Sequence, residues 1–331
     1  MDVDVAVPAW AREVLSDLTD MHRNPRPVDP ATVSRFRLRL PDDVHFEYGF
    51  RDADGRIRAD PDRPERADNP WYPELSAVRG PDYAPHPLAS VDEGLATGRV
   101  RRLRVEDPHL GEDRRVTLYE PEGADGPLPL VVAHDGTAYL RVARLPAVLE
   151  ALRAAGRVPA ARLAFVDPSR PDRREEEYGF GAAYHRFLRG TLLPRLREEA
   201  DATGGTYLIG ASLGGLAATI LALHEPDAVA GLALQSPALL GAPDERDFYG
   251  SRRSWLLETL ASDDAALPWR VYQEVGTMDW LRDVNREAAG RLRERADAAR
   301  YVERSAGHNW TFWRDGVAPA LEHLLGGRAV S

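Results

Sequence analysis

From Arg101 onward the chain alternates short, continuously apolar runs with longer stretches whose apolar residues recur every three or four positions. That alternation restricts it to a sheet covered by helices on both faces. "RRLRVED" and "RRVTLYEP", joined by the short "PHLGED", read as a hairpin, and "LPLVVAHD" reads as a strand buried on both sides. Helical "RVARLPAVLEALRAAG" then precedes strand "ARLAFVD", and helical "YHRFLRGTLLPRLREEADA" precedes strand "TYLIGAS". Helix "LGGLAATILALHE", strand "VAGLALQSP", a helix near "RRSWLLETLA", strand "RVYQEVG", helix "LRDVNREAAGRLRERADA", strand "YVERSAG" and helix "TFWRDGVAPALEHLL" complete the series. The expectation is a doubly wound α/β fold over residues 101–331, its eight strands mostly parallel after an antiparallel start.

Residues 1–100 read as a separate module. "PAWAREVLSDLTDMH" has apolar positions at helical spacing, "ATVSRFRLRL" and "DVHFEYGF" alternate as paired strands do, and "RDADGR" is a turn. Asp52, Asp54 and Gly55 belong to that turn, since the remaining ligands of a calcium loop are missing. "ADPDRPERADNPWYPELSAVRGPDYAPHP" is too rich in Pro and Asp for regular structure and reads as a linker or a draped loop.

Composition excludes several functions. Net charge is −10, and arginines are scattered among acidic residues instead of forming a stripe, so no nucleic-acid partner is expected. Neither a basic segment with a following apolar run nor a membrane-length apolar window is present, and cysteine is absent, so a cytoplasmic, non-membrane protein is expected.

"GASLGG" places Ser212 between Gly210 and Gly214 where strand period gives way to helix period. A G-x-S-x-G at such a junction is a nucleophile elbow, in which a tight turn holds the serine in a strained conformation. A serine hydroxyl needs a histidine to take its proton and an acid to orient that histidine, in chain order Ser, acid, His. "AGHNW" offers His308 after the last strand, and "EVGTMDW" offers Asp279 after the seventh, with Asp283 and Glu274 in reserve. The oxyanion of acyl transfer needs two donors: the Leu213 amide at the helix start, and the Gly136 or Thr137 amide from "AHDGTAY". His134 and Asp135 have no second histidine cluster to complete a metal site, and no metal or other cofactor is expected.

These residues resemble the putative-esterase family of α/β hydrolases, and within it the enterochelin (ferric enterobactin) esterase branch. The resemblance runs from about Arg101 to the end, on "AHDGTAY", "FVDPSRPDRREEEY", "LLPRL", "GASLGGLAA" and "GHNWTFWRDGVAPAL". More weakly, "FEYGFRDADGRIRADPDRP" is similar to the β-sandwich module that precedes the hydrolase domain in that branch. Two departures stand out: the elbow has Ala211 and Leu213 where a Gln and a Phe are frequent, and Asn309 stands where Asp is common.

The resemblance implies a serine esterase that hydrolyses a small-molecule ester, a ferric catecholate siderophore, through an acyl-enzyme. The residues alone leave open a feruloyl, acetyl or other small acyl ester, and a non-catalytic binding protein on the same fold. For a catecholate, Arg173 and Arg174, with Arg170, are the expected cations at the mouth of the site, and Tyr178, Trp280, Trp310 and Trp313 the rings to pack against it.

Overall fold

The computed structural model describes residues 1–21, 23–106, 110–111, 113–124, 126–202, 204–245, 249–251, 253–262 and 265–327. The "PHLGED" turn falls partly outside them.

The N-terminal part holds β1 (Asp2–Ala6), β2 (Ala11–Ser16), β3 (Arg26–Pro27), β4 (Arg35–Arg39), β5 (His45–Asp52), β6 (Ile57–Arg58) and β7 (Ser76–Arg79). Ala11 to Ser16, expected as helix, is a strand antiparallel to β5. The buried Ala11 and Leu15 are four residues apart, a spacing that lies on one face of a strand as well as of a helix, and pairing with β5 decides between them. β4 and β5 are both strands but do not pair with each other. β4 pairs with β1, where Asp2 faces Arg39 and Asp4 faces Arg37 across the ladder, so alternating acids and bases set the register. The "RDADGR" turn links β5 to β6, with Gly55 at φ 79°.

The main sheet comprises β8 (Arg99–Val105), β9 (Arg114–Glu120), β10 (Leu130–His134), β11 (Arg162–Val166), β12 (Thr206–Ala211), β13 (Gly231–Gln235), β14 (Leu267–Gly276) and β15 (Ala296–Arg304). Their spatial order is β15-β14-β13-β12-β10-β11-β9-β8. Only the β8–β9 and β9–β11 pairings are antiparallel. Helices α1 (Gly136–Arg141), α2 (Leu145–Ala154), α3 (Arg174–Tyr178), α4 (Ala182–Phe187), α5 (Leu193–Glu199), α6 (Leu213–His224), α7 (Trp255–Ser262), α8 (Arg282–Arg295) and α9 (Trp310–Leu325) connect and cover it. Among the described residues no helix is long and apolar enough to cross a membrane.

Both faces of the sheet are buried along its central strands β10 to β13, which is why these read as unbroken apolar runs. Val131, Ala133, Leu163, Phe165 and Ile209 point into one core with α2 and α9, while Leu130, Val132, Ala164, Val166 and Leu208 point into the other, under α4 to α8. The long helix expected before β12 is interrupted by a wide π turn at Leu188–Leu192. Pro194 explains it: a proline there lacks an amide donor and would crowd the Gly190 carbonyl in a regular helix.

Among the described residues three histidines are buried, His45 in the N-terminal part and, around the main sheet, His134 and His185. His134 ends β10, and neither ring nitrogen has a partner among the described residues; burial, reinforced by His185 and Arg174, pushes it down to about 3. Burial likewise pushes His185 on α4 down to about 4. Both are neutral when folded and gain a proton on unfolding below the ordinary histidine value of about 6.5. The unfolded chain therefore binds more protons in that window, and their contribution to stability falls as pH drops from about 6.5 toward 4. Asp17, raised well above the carboxylate range by burial and Glu47, acts with the opposite sign, so the His134 effect is read by difference. His134→Leu removes an unpartnered polar ring, so its melting temperature near pH 7 is expected to stay close to wild type and to fall less on acidification to about pH 5. Equal losses in the two proteins would show that His134 is not held neutral.

Candidate active site

Ser212 lies between β12 and α6 with φ 55° and ψ −121°, a conformation that a residue with a side chain adopts only under constraint. Its amide donates to Gln235 O at 2.9 Å, and its carbonyl accepts from the amides of Gly215, Leu216 and Ala238. A methyl on Gly210 would lie 2.3 Å from the Gly214 carbonyl carbon, so the first elbow glycine is required across the turn. On Gly214 it would crowd the end of β10 instead, 3.1 Å from His134 Cβ.

The loops after β14 and β15 bring the other two expected residues to this serine. His308 Nε2 is 2.9 Å from Ser212 Oγ, and His308 Nδ1 is 2.8 Å from Asp279 Oδ2. The second Asp279 oxygen accepts the Leu281 amide at 2.9 Å, so this carboxylate is buried and held at both ends. An ionised carboxylate only accepts, which puts the imidazole proton on Nδ1 and leaves Nε2 to receive the serine hydroxyl. Of the reserve acids, Asp283 is exposed and paired with Arg282, and Glu274 is consumed in the core by Gln235, Tyr272 and Arg304.

Leu213 opens α6, so its amide has no acceptor within that helix. The two alternatives for the second donor separate. The Thr137 amide already donates to Asp167 Oδ1 at 2.9 Å, and its hydroxyl to Asp167 Oδ2 at 2.6 Å. Gly136, first in α1, keeps an amide unused by its helix. Its missing side chain serves packing rather than substrate approach, because a methyl would sit 2.4 Å from the β11 backbone at Phe165.

A cavity of about 670 Å³ opens over Ser212, Leu213 and His308. Several residues expected to bind substrate do not line it. Tyr178 is fully buried: its hydroxyl accepts the Asp135 amide and donates to Val166 O. Trp310 is fully buried against Trp71 and Trp313, and Trp313 itself packs edge-on to His308 at 4.9 Å. Trp280 stands beside the site, its ring 5.9 Å from His308. Arg173 turns away, paired with Glu176. Of the named cations, Arg170 and Arg174 do line the cavity. Arg174 makes a bidentate pair with Asp135 at 2.7 and 2.6 Å and lies 4.5 Å above the Trp71 ring. Burial opposes its charge, but the Asp135 carboxylate outweighs that and holds the guanidinium above its ordinary value.

The sequence reading missed the opposite wall, which comes from the N-terminal part: Asp20, Met21, Arg23, Asn69, Trp71 and Tyr72. Arg23 pairs with Glu175 and lies 3.8 Å over the Tyr249 ring. The local signal was "NPWYP", an aromatic pair in an otherwise polar stretch. The acids of the "RREEE" run pair three ways: Glu175 with Arg23, Glu176 with Arg173, and the buried Glu177 with Arg114 at 3.0 Å. Arginines and carboxylates are nearly balanced in the wall, with Arg23, Arg141, Arg170 and Arg174 against Asp20, Asp135, Asp167, Asp172 and Glu175.

The family model described as "Putative esterase" matches residues 108–324. The chain belongs to this esterase family. An iron(III) enterobactin esterase of Dickeya dadantii is 29% identical to this chain over 283 residues, 80% of this chain and 65% of that protein, so the match spans just under two thirds of the relative. An iron(III) salmochelin esterase of Escherichia coli is 26% identical over 260 residues, 74% of this chain and 62% of that one. Among solved structures, the enterobactin esterase of Shigella flexneri in the presence of 2,3-dihydroxy-N-benzoyl-serine has a TM-score of 0.72 at 19% identity, covering 97% of this chain and 91% of that chain. A ferulic acid esterase has a TM-score of 0.55 at 16% identity over 68% of this chain and 96% of its own. The fold is the α/β-hydrolase fold, with a β-rich N-terminal segment added.

The adjacent arginines Arg173 and Arg174 have different surroundings and should respond differently to removal. Arg174→Ala leaves the buried Asp135 carboxylate without its partner and is expected to cost about 3 kcal/mol, whereas Arg173→Ala is expected to stay within about 0.5 kcal/mol of wild type. Urea unfolding of the two variants checks this, and equal costs would contradict the assigned pairings.

Proposed function

We propose that this chain is a serine carboxylic-ester hydrolase in which Ser212 is the nucleophile, His308 the proton carrier and Asp279 the residue that orients it. The observation that carries the reading is the continuous line from Asp279 Oδ2 through both ring nitrogens of His308, at 2.8 and 2.9 Å, to a strained serine facing a cavity. Ser212 Oγ attacks the ester carbonyl while Nε2 takes the hydroxyl proton, and the oxyanion is met by the Leu213 and Gly136 amides. Collapse of the tetrahedral adduct breaks the ester C–O bond, the departing alkoxide takes the proton from Nε2, and an acyl-serine remains. Water then attacks that acyl group by the same route, releasing the acid and restoring the serine.

For the substrate we propose a catecholate siderophore ester of the kind named for the Dickeya, Escherichia and Shigella relatives. Match over 97% of the chain to the Shigella enzyme includes the N-terminal part, whose loops wall the cavity, which favours this over a small acyl ester such as a feruloyl ester. The near-balance of charge in the wall directs recognition toward the rings of Trp71, Tyr72 and Tyr249 more than toward net positive charge.

Ser212→Ala is expected to lower kcat by several orders of magnitude with the fold intact, and Asp279→Asn by roughly 10⁴-fold. Asp283→Asn should remain near wild type. A fluorophosphonate probe should label wild type and not Ser212→Ala; absence of labelling in wild type would favour a binding protein on a hydrolase fold. Cleavage of a catecholate trilactone compared with p-nitrophenyl esters tests the substrate, and turnover of the small esters alone would replace it.

A further inference from the structure

The stretch carrying His308 leaves β15, which is an edge strand and has a hydrogen-bonding neighbour in the main sheet on one side only. An edge segment of this kind is the part of a sheet most free to open. The other side is occupied by the N-terminal strands. The His308 amide donates to Asp17 O at 2.8 Å, just past the end of β2, and Ala306 forms a parallel bridge with His45 at the start of β5. Asn309 Nδ2 donates to Asp17 Oδ2 at 2.7 Å, while its Oδ1 caps α9 by accepting the Phe312 amide at 2.8 Å. At Gly307 the backbones touch: a methyl there would lie 2.4 Å from Asp17 O. Opposite these contacts, the Met278 amide donates to Ala306 O at 3.0 Å and ties the same stretch to the Asp279 loop.

We propose that the N-terminal strands are part of the catalytic apparatus, with Asp17 and Asn309 acting as positioning residues that hold His308 in line between Asp279 and Ser212. This rests on the reading of His308 as the proton carrier. Asp17 suits the task because it is itself immobilised. It is fully buried, its amide donates to Glu47 O at 3.0 Å, and its Oδ2 accepts the Glu47 amide at 3.0 Å. Glu47 is fixed in turn by His45 at 3.2 Å and Asn69 at 2.8 Å. Asn69 lies in the cavity wall, so one buried polar network joins substrate wall and histidine. Burial and the neighbouring Glu47 push the Asp17 carboxyl well above its ordinary value, while its Oδ2 accepts from both the Glu47 amide and Asn309 Nδ2.

The test separates positioning from folding. Asp17→Ala removes the acceptor for Asn309, and a displacement of the imidazole by about 1 Å is expected to lower kcat roughly 100-fold with KM within about twofold. Phosphonylation of Ser212 by a fluorophosphonate should slow in parallel, at a temperature where circular dichroism shows the variant folded. Asp17→Asn, which keeps an acceptor oxygen, should recover most of the lost turnover. Asn309→Ser keeps a good N-cap for α9 but drops the amide donor to Asp17, so it should show the same kcat-specific loss even if Asp17→Ala does not fold. Wild-type kcat in folded Asn309→Ser or folded Asp17→Ala, or losses that disappear on cooling as stability returns, would overturn the proposal. If Ser212→Ala and His308→Ala remained active, the hydrolase reading would fail instead.

Discussion

A serine held at φ 55° and ψ −121° is the constraint on which the rest of the site depends. Such a conformation costs about 1 to 3 kcal/mol and persists only where the surroundings fix it from several sides. Here the serine amide bonds to the end of β13, and its carbonyl accepts from the first turn of α6 and from Ala238. β12 is itself clamped between β10 and β13 near the centre of the sheet. Its two strand neighbours behave alike: Asp135 follows β10 at φ 57° and Ser236 follows β13 at φ 44°. Three adjacent strands thus leave the same edge of the sheet through left-handed residues. The chain turns away sharply at each, and the space vacated is the crevice where ligands of open α/β sheets bind.

What fills that crevice is governed by pairing more than by formal charge. Arg174 is committed to Asp135, Arg23 to Glu175 and Arg170 to Asp172, while Arg141 has no ion pair among the described residues. A guanidinium already engaged by a carboxylate has few donors left for a ligand, and what it still offers is its planar face. Two of the four are used that way, Arg174 over Trp71 and Arg23 over Tyr249. The arginines therefore stiffen an aromatic wall, and the wall offers ring surface. An aryl ester suits such a lining better than a compact anion does.

How much of this was legible in the sequence depended on whether the deciding contacts were local. The eight-stranded sheet could be read because burial on both faces leaves an unbroken apolar signature in each central strand. That Ser212, Asp279 and His308 would be brought together was legible because an elbow fixes the fold's chain order, and each loop then holds few candidates. β2 could not, since its spacing of four suits strand and helix alike and only pairing with β5 settles it. Tyr178 and Trp310 were misplaced for a related reason: a ring beside a site-facing loop can turn toward the cavity or the core, and sequence does not record which. The N-terminal wall was illegible because Arg23 and Glu175 meet across 152 residues of chain.

The motif "AGHNW" illustrates how chemistry and docking share a few residues. His308 faces Ser212 and Asp279, while Ala306, Gly307 and Asn309 around it face the N-terminal strands. Asn309 stands where Asp is common in the enterochelin-esterase branch, and the contact explains why an amide suits this chain. A second carboxylate at this position would accept the Phe312 amide equally well, but it would set an acceptor against the buried Asp17 oxygen 2.7 Å away, where the amide supplies a donor. The residue next to the histidine is thus chosen by a partner nearly three hundred positions earlier in the chain, and the N-terminal strands and the histidine loop are matched to each other. Matching of that kind is expected where two parts of a chain share one task, and in the mechanism proposed above that task is to keep an edge-strand loop still enough for proton transfer.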